Sequence, residues 1–176
     1  NTAYASNGIT GLGNETLTLT DVSVTTGDLI DLESQTTGSV VASSVSTISG
    51  SLSSLTVAYT SPGISQLGTT VNITDIIIDS DELNTLNYIT TGTLNTTNLT
   101  TLSGSIASLT AVYDASVGVG MNGIADLGNE NIVLTDADVD SSSFQSLDNS
   151  TAGVINAGFI SSFTGSGSSI SNIYDS

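Results

Sequence analysis

Residues 4–21 read YASNGITGLGNETLTLTD, and the same pattern appears twice more along the chain. It returns as YTSPGISQLGTTVNITD at residues 59–75 and as GMNGIADLGNENIVLTD at residues 120–136. The spacing is about 55 residues, and self-similarity at a fixed period is typical of repeat architectures. The pattern therefore indicates tandem copies of one structural unit.

The repeat divides the chain into three units. They are residues 1–55, 56–109 and 110–176, and we expect one continuous array. The third unit carries extra residues at about 117–122, where we expect a loop. Both ends of the chain stand at nearly the same phase of the repeat, and neither resembles a polar cap. We therefore expect an excerpt of a longer array, or a subunit whose ends stack on other copies.

Each unit contains a weaker half-repeat of about 27 residues. An apolar run taken as alternating, Leu17, Leu19, Val22 and Val24, predicts a strand with one face inward, and a helical pattern follows it. In the second unit, Leu83 and Leu86 fall on one face of a predicted helix, with Ser80 as its predicted N-cap.

Together these patterns predict the fold class. We expect a repeat solenoid that is β-rich with short helices, either a β-solenoid or leucine-rich-repeat-like α/β coils, with about two coils in each unit. A string of small β-sandwich domains is disfavoured, because one unit of about 55 residues holds too little core to fold alone.

The composition excludes several classes of function. The chain has 176 residues with seventeen Asp and Glu, no Lys, Arg or His, no Cys, and a formal net charge of −17. A basic nucleic-acid footprint and nucleophilic catalysis assisted by His, Cys or Lys are therefore excluded, and the longest apolar runs are too short for membrane insertion. Hydrophobic residues make up 38% of the chain, which is enough for a core. We predict that the protein is not an enzyme.

The repeats resemble a known group of sequences. The string NTAYASNGITGLGNETLTLTD, followed by a Leu-x-x-Leu helix and a TTG turn, is similar to the tandem repeats of giant secreted or cell-surface proteins of marine cyanobacteria and of related bacterial adhesins. The resemblance covers all three units. It implies an extracellular or cell-surface, secreted, non-catalytic scaffold or adhesive element.

One acidic cluster is a candidate metal site. Asp136, Asp138 and Asp140 alternate, so on a strand their carboxylates would share one face and suit Ca²⁺. An EF-hand loop starting at Asp136 would need Gly and Glu where Ser141 and Leu147 stand. The alternative is that these acids cap turns and helix N-termini, and the recurrent Asp at this phase is expected to cap a turn. No cofactor is expected to be required.

We therefore expect a structural module that forms a rod, filament or surface layer by end-to-end stacking of repeats. Its partners would be copies of itself or flanking repeats of a longer chain, without nucleic acid. The alternative function is an adhesin stalk or binding module with calcium-dependent adhesion to a glycan or surface receptor, whose specificity lies in the Val117–Asn122 insertion.

Overall fold

The structure, a computed structural model, describes residues 9–68, 70–116 and 123–175. Within these residues, short parallel strands alternate with helices of 8 to 11 residues. The helices are α1 (Thr26–Glu33), α2 (Leu52–Thr60), α3 (Ser80–Ile89), α4 (Ile106–Ser116), α5 (Ser141–Asp148) and α6 (Gly167–Tyr174). The strands are β1 (Leu17–Thr18), β2 (Ser23–Thr25), β3 (Val40–Val41), β4 (Thr47–Gly50), β5 (Ile64–Ser65), β6 (Thr70–Ile73), β7 (Ile77–Asp79), β8 (Thr93–Asn95), β9 (Thr101–Gly104), β10 (Ile124–Ala125), β11 (Asn131–Leu134), β12 (Asp138–Asp140), β13 (Ile155–Asn156) and β14 (Ser162–Thr164).

The strands of the described residues form four parallel sheets. Their orders are β1-β3-β5, β10-β8-β6-β4-β2, β13-β11-β9-β7 and β12-β14. Within each sheet the order follows the chain, so each strand pairs with one that lies about half a repeat away. The helices pack in sequence order, each against the next, from α1 to α6. Successive strand–helix segments therefore lie side by side in the order in which they occur along the chain.

The predicted solenoid is wrong, and the fold is α/β. A β-solenoid would carry its strands in ladders along the whole array, whereas here they are divided among four separate sheets, none of which includes strands from every segment. Helices also hold more of the described residues than strands do. The physical reason is that the alternating runs support strands of only two to four residues, while the Leu-x-x-Leu patterns extend into full helices.

The alternation of parallel strands with helices resembles that of Rossmann-like α/β domains. In those domains, ligands bind where the strand order reverses. Among the described residues the order within each sheet does not reverse. The fold therefore does not provide that kind of crevice in the part of the chain described.

Local sequence explains the individual elements. In β6, Val71 and Ile73 are buried while the residues between and before them are half-buried, as a period of two requires. Helix α3 buries Leu83 and Leu86. Its N-cap, however, is Asp79, whose carboxylate accepts hydrogen bonds from two backbone N–H groups of the first turn. The predicted N-cap, Ser80, is instead fully buried, and its hydroxyl lies 2.6 Å from that of Ser108.

The core consists of in-register apolar rows. Ile48, Val71, Leu94 and Ile124 occupy equivalent places on four adjacent strands, and each is at most 2% exposed. Because the first and last rows have a neighbouring row on one side only, burial decreases at the first and last segments. Leu17 near one end and Phe163 near the other are only partly buried.

Candidate functional site: the acidic cleft and the two end faces

The three predicted metal ligands line one cleft. Asp138 and Asp140 flank the buried Val139 on β12 and are both exposed, so they share a face as predicted from the alternation. Asp136 lies just before the strand, and the first turn of α4 closes the other side of the cleft. The volume of the cleft is about 210 Å³. The sequence therefore identified residues that lie near one another in space.

Two of these carboxylates cap helices. An Oδ atom of Asp136 accepts a hydrogen bond of 2.6 Å from the backbone N–H of Ile106, at the start of α4. Asp140 is the N-cap of α5 and accepts from the N–H groups of Ser142 and Ser143, each at 3.0 Å. Hydrogen bonds from the Ser142 hydroxyl and then from the Ser143 N–H lower the pKa of Asp140 below its ordinary value.

The arrangement lacks the geometry of a metal centre. Within residues 9–68, 70–116 and 123–175, no group of three or more acidic side chains is placed so that it could hold a metal ion. Asp136 points to one helix and Asp140 to another, so their oxygens do not converge on a common point. The positive ends of the helix dipoles attract these carboxylates instead.

The recurrent aspartate joins one half-repeat to the next. Asp75 makes the same bond as Asp136, since its Oδ accepts from the backbone N–H of Leu52 at 2.6 Å, at the start of α2. The bond spans 23 residues in one case and 30 in the other, so it is not the local turn cap expected from the sequence. Asp21, the third member of the series, is exposed and has no hydrogen-bond partner among the described residues.

A buried acidic residue was missed by the sequence reasoning. Glu130 is 2% exposed, and its carboxylate accepts hydrogen bonds from the Tyr113 hydroxyl and from the N–H groups of Gly128 and Asn129. Burial, and then the carboxylate of Glu130, raise the pKa of Tyr113 above its ordinary value. The signal was the string LGNE, which the first and third units share and which places a Glu after the recurrent Tyr of each unit.

In the second unit, the hydroxyl of the recurrent tyrosine has a different hydrogen-bond acceptor. It has Thr69-Thr70 where the other units have Asn and Glu, and Tyr59 donates to the backbone carbonyl of Gly68 at 2.9 Å. Burial raises the pKa of Tyr59 to about 12. The tyrosine is thus part of the packing in both units, with a carboxylate or a carbonyl as its acceptor.

Two surfaces lie at opposite ends of the segment order. We call the outer side of residues 9–33 the head face and the outer side of residues 153–175 the tail face. On the head face, Ile9 is 49% exposed, although its repeat equivalents Ile64 and Ile124 are 7% and 2% exposed. On the tail face, Tyr174 is 77% exposed, whereas its equivalent Tyr113 is 7% exposed. Apolar positions that are buried inside the array are therefore open at both ends.

The predicted binding insertion, residues 117–122, lies outside the described residues. In the part of the chain that the structure describes, no helix is both long and apolar enough to cross a membrane. Comparison of the chain with protein-family models, with curated proteins and with solved structures finds no match.

Proposed function

We propose that the protein is a non-catalytic structural repeat module that extends into a rod, filament or layer by end-to-end association of its repeats. The observation that carries this proposal is the exposure of Ile9 and Tyr174 on the two end faces, where the equivalent residues inside the array are buried. Covering such positions removes apolar surface from water, at about 25 cal/mol for each Å². A neighbouring repeat supplies the matching surface.

The proposed location is extracellular. The resemblance of the repeats to those of secreted and cell-surface proteins supports it, and the lack of Cys means that stability in that location does not depend on disulfides. Immunolabelling of intact cells against permeabilised cells tests the location. Signal only after permeabilisation would contradict it.

Cations from solution are proposed to modulate association without occupying a dedicated site. The net charge of −17 makes copies repel, and the chain has no cationic side chain to offset this. Ca²⁺ would therefore strengthen lateral contacts between rods by screening. Equal light scattering with Ca²⁺ and with excess EGTA at matched ionic strength would refute the cation effect.

The association itself is tested with a matched pair of variants. Ile9→Asp places a charge on the head face, and Tyr88→Asp places the same charge on the 90% exposed surface of α3, away from both ends. Sedimentation velocity over a range of concentrations and negative-stain electron microscopy should show end-to-end species for the wild type and for Tyr88→Asp. Ile9→Asp should remain monomeric. A wild type that stays monomeric at all concentrations, or an Ile9→Asp variant that associates normally, would refute the proposal.

A further inference from the structure

The head face contains a cleft that lacks a neighbour. It has a volume of about 220 Å³, lies between the start of β2 and helix α1, and is lined by Leu19, Asp21, Ser23, Val24, Asp28, Leu29 and Leu32. Asp21 lies at its rim, exposed and without a hydrogen-bond partner among the described residues. The cleft thus combines apolar walls with a carboxylate acceptor.

Inside the array, the start of a helix forms one wall of the equivalent cleft. Two repeat units further on, Asp136, Asp138, Val139 and Asp140 stand in the positions of Asp21, Ser23, Val24 and Thr25. There, the first turn of α4 supplies Ile106 and Ala107 as the remaining wall, and Asp136 accepts the hydrogen bond from the N–H of Ile106. Between α2 and Asp75 the same bond forms again. In both inner cases, the partner of the aspartate is the N-terminus of the preceding helix.

On the tail face, the N-terminus of α6 is exposed at the position where the inner helices contact an aspartate. Gly167, the first residue of α6, occupies the repeat position of Leu52 and Ile106. It is exposed, and open space surrounds the position where a side chain would begin. The first N–H groups of a helix have no partner within the helix, and its N-terminus carries partial positive charge.

We propose that the head-face cleft receives the N-terminus of α6 from a second copy of this chain, with Asp21 accepting a hydrogen bond from the Gly167 N–H. The inference rests on the end-to-end association proposed above and specifies its partner, polarity and register. By repeat position, β14 corresponds to β9 and β1 corresponds to β11, so the pairing of β9 with β11 predicts how β14 of one copy pairs with β1 of the next. Because Leu102 pairs with Ile132 and Ser103 with Val133 inside the array, Phe163 of one copy lies beside Leu17 of the next, and Thr164 beside Thr18.

Charge sets the polarity of this junction. The chain contains no cationic side chain, so the N-termini of its helices are the main fixed positive groups that one copy presents to another. A head-to-head contact would bring two Asp21 carboxylates together, and a tail-to-tail contact would bring two helix N-termini together. Head-to-tail contact is the one arrangement of the two faces that joins opposite charges.

The first experiment compares Asp21→Ala with Asp31→Ala by sedimentation equilibrium. Both variants remove one negative charge, but Asp31 is an exposed residue of α1 that does not line the cleft. We expect Asp21→Ala to associate about tenfold more weakly than Asp31→Ala, because it loses a hydrogen bond to a charged group. Equal association constants for the two variants would overturn the role of Asp21.

The second experiment tests the register by disulfide formation. The natural chain has no Cys, so each added thiol is unique. Neighbouring strands lie about 4.8 Å apart, within the Cα separation that a disulfide tolerates. A mixture of Thr18→Cys and Thr164→Cys chains should give a crosslinked heterodimer, whereas Thr20→Cys with Thr164→Cys should not.

The outcomes separate this inference from the proposed function. Association that persists without a Thr18–Thr164 crosslink would overturn the proposed contact between the cleft and α6, and its strand register. It would not contradict end-to-end association. Crosslinking of Thr18→Cys chains with one another would show head-to-head contact and would also overturn the inference. A wild type that does not associate would refute both.

Discussion

Removal of the buried carboxylate of Glu130 is the most informative single perturbation of this fold. Glu130→Ala removes the acceptor of two groups, the buried Tyr113 hydroxyl and the half-buried Gly128 N–H. The third donor, the N–H of Asn129, belongs to an exposed residue that water reaches. The variant therefore measures the cost of removing the acceptor, together with the loss of a buried side chain.

The expected loss of stability follows from the number of donors that lose their acceptor. A buried donor without a partner costs about 1 to 3 kcal/mol, and loss of a buried charge returns part of that cost by relieving desolvation. We expect Glu130→Ala to lower the free energy of unfolding by about 3 kcal/mol. For a chain of this size, such a loss corresponds to a decrease in Tm of roughly 6 to 12 °C.

The assay is urea and thermal unfolding followed by far-ultraviolet circular dichroism, with two comparison variants. Tyr113→Phe removes one donor but keeps the carboxylate bound to backbone N–H groups, so we expect a loss of about 1 kcal/mol. Tyr59→Phe, in the unit that lacks the glutamate, should cost a similar amount because its hydroxyl is bound to the Gly68 carbonyl.

A double-mutant cycle of Tyr113→Phe and Glu130→Ala measures their coupling. Residues in direct contact couple by about 0.5 to 3 kcal/mol. If Glu130→Ala unfolds within about 0.5 kcal/mol of the wild type, or if the two substitutions add without coupling, the buried pair does not stabilise the fold and the reasoning is wrong.

Two further predictions concern the caps and the tyrosines. Asp136→Ala should destabilise the protein by about 1 kcal/mol, while Asp138→Ala, on the same cleft, should change stability by less than about 0.5 kcal/mol in urea melts. Because burial raises the pKa of Tyr59 to about 12, its contribution to stability is complete below the unfolded pKa near 10 and is lost as the pH rises to about 12. Thermal melts from pH 9 to 12 should therefore show a smaller decrease in Tm for Tyr59→Phe than for the wild type.

The local elements could be predicted because their signals are local. The i and i+3 leucines of α3, Leu83 and Leu86, are buried, and the alternation at Val71 and Ile73 gives a strand with one face inward. The N-cap of α3 was displaced by one residue, from Ser80 to Asp79. Both residue types cap helices well, and only packing decided that Ser80 turns into the core toward Ser108.

The candidate site could be predicted only in part. The alternation of Asp138 and Asp140 correctly indicated a shared face, but the role of Asp136 could not be read from its neighbours in sequence. Its partner, Ile106, lies 30 residues away, and the contact exists only because two segments pack side by side. Glu130 was missed for the same reason, since its burial depends on the helix that delivers Tyr113.

By itself, the sequence determined the repeat, the positions of the helical and alternating apolar patterns, and the absence of side-chain ion pairs, because each follows from residue types and their spacing. The tertiary structure alone decided that the strands divide into four parallel sheets rather than one ladder, and that Asp75 and Asp136 cap helices of the preceding segment. The physical reason is that hydrogen bonds between segments depend on how far each strand extends before its helix begins. That length is set by packing against neighbours that are distant in the chain.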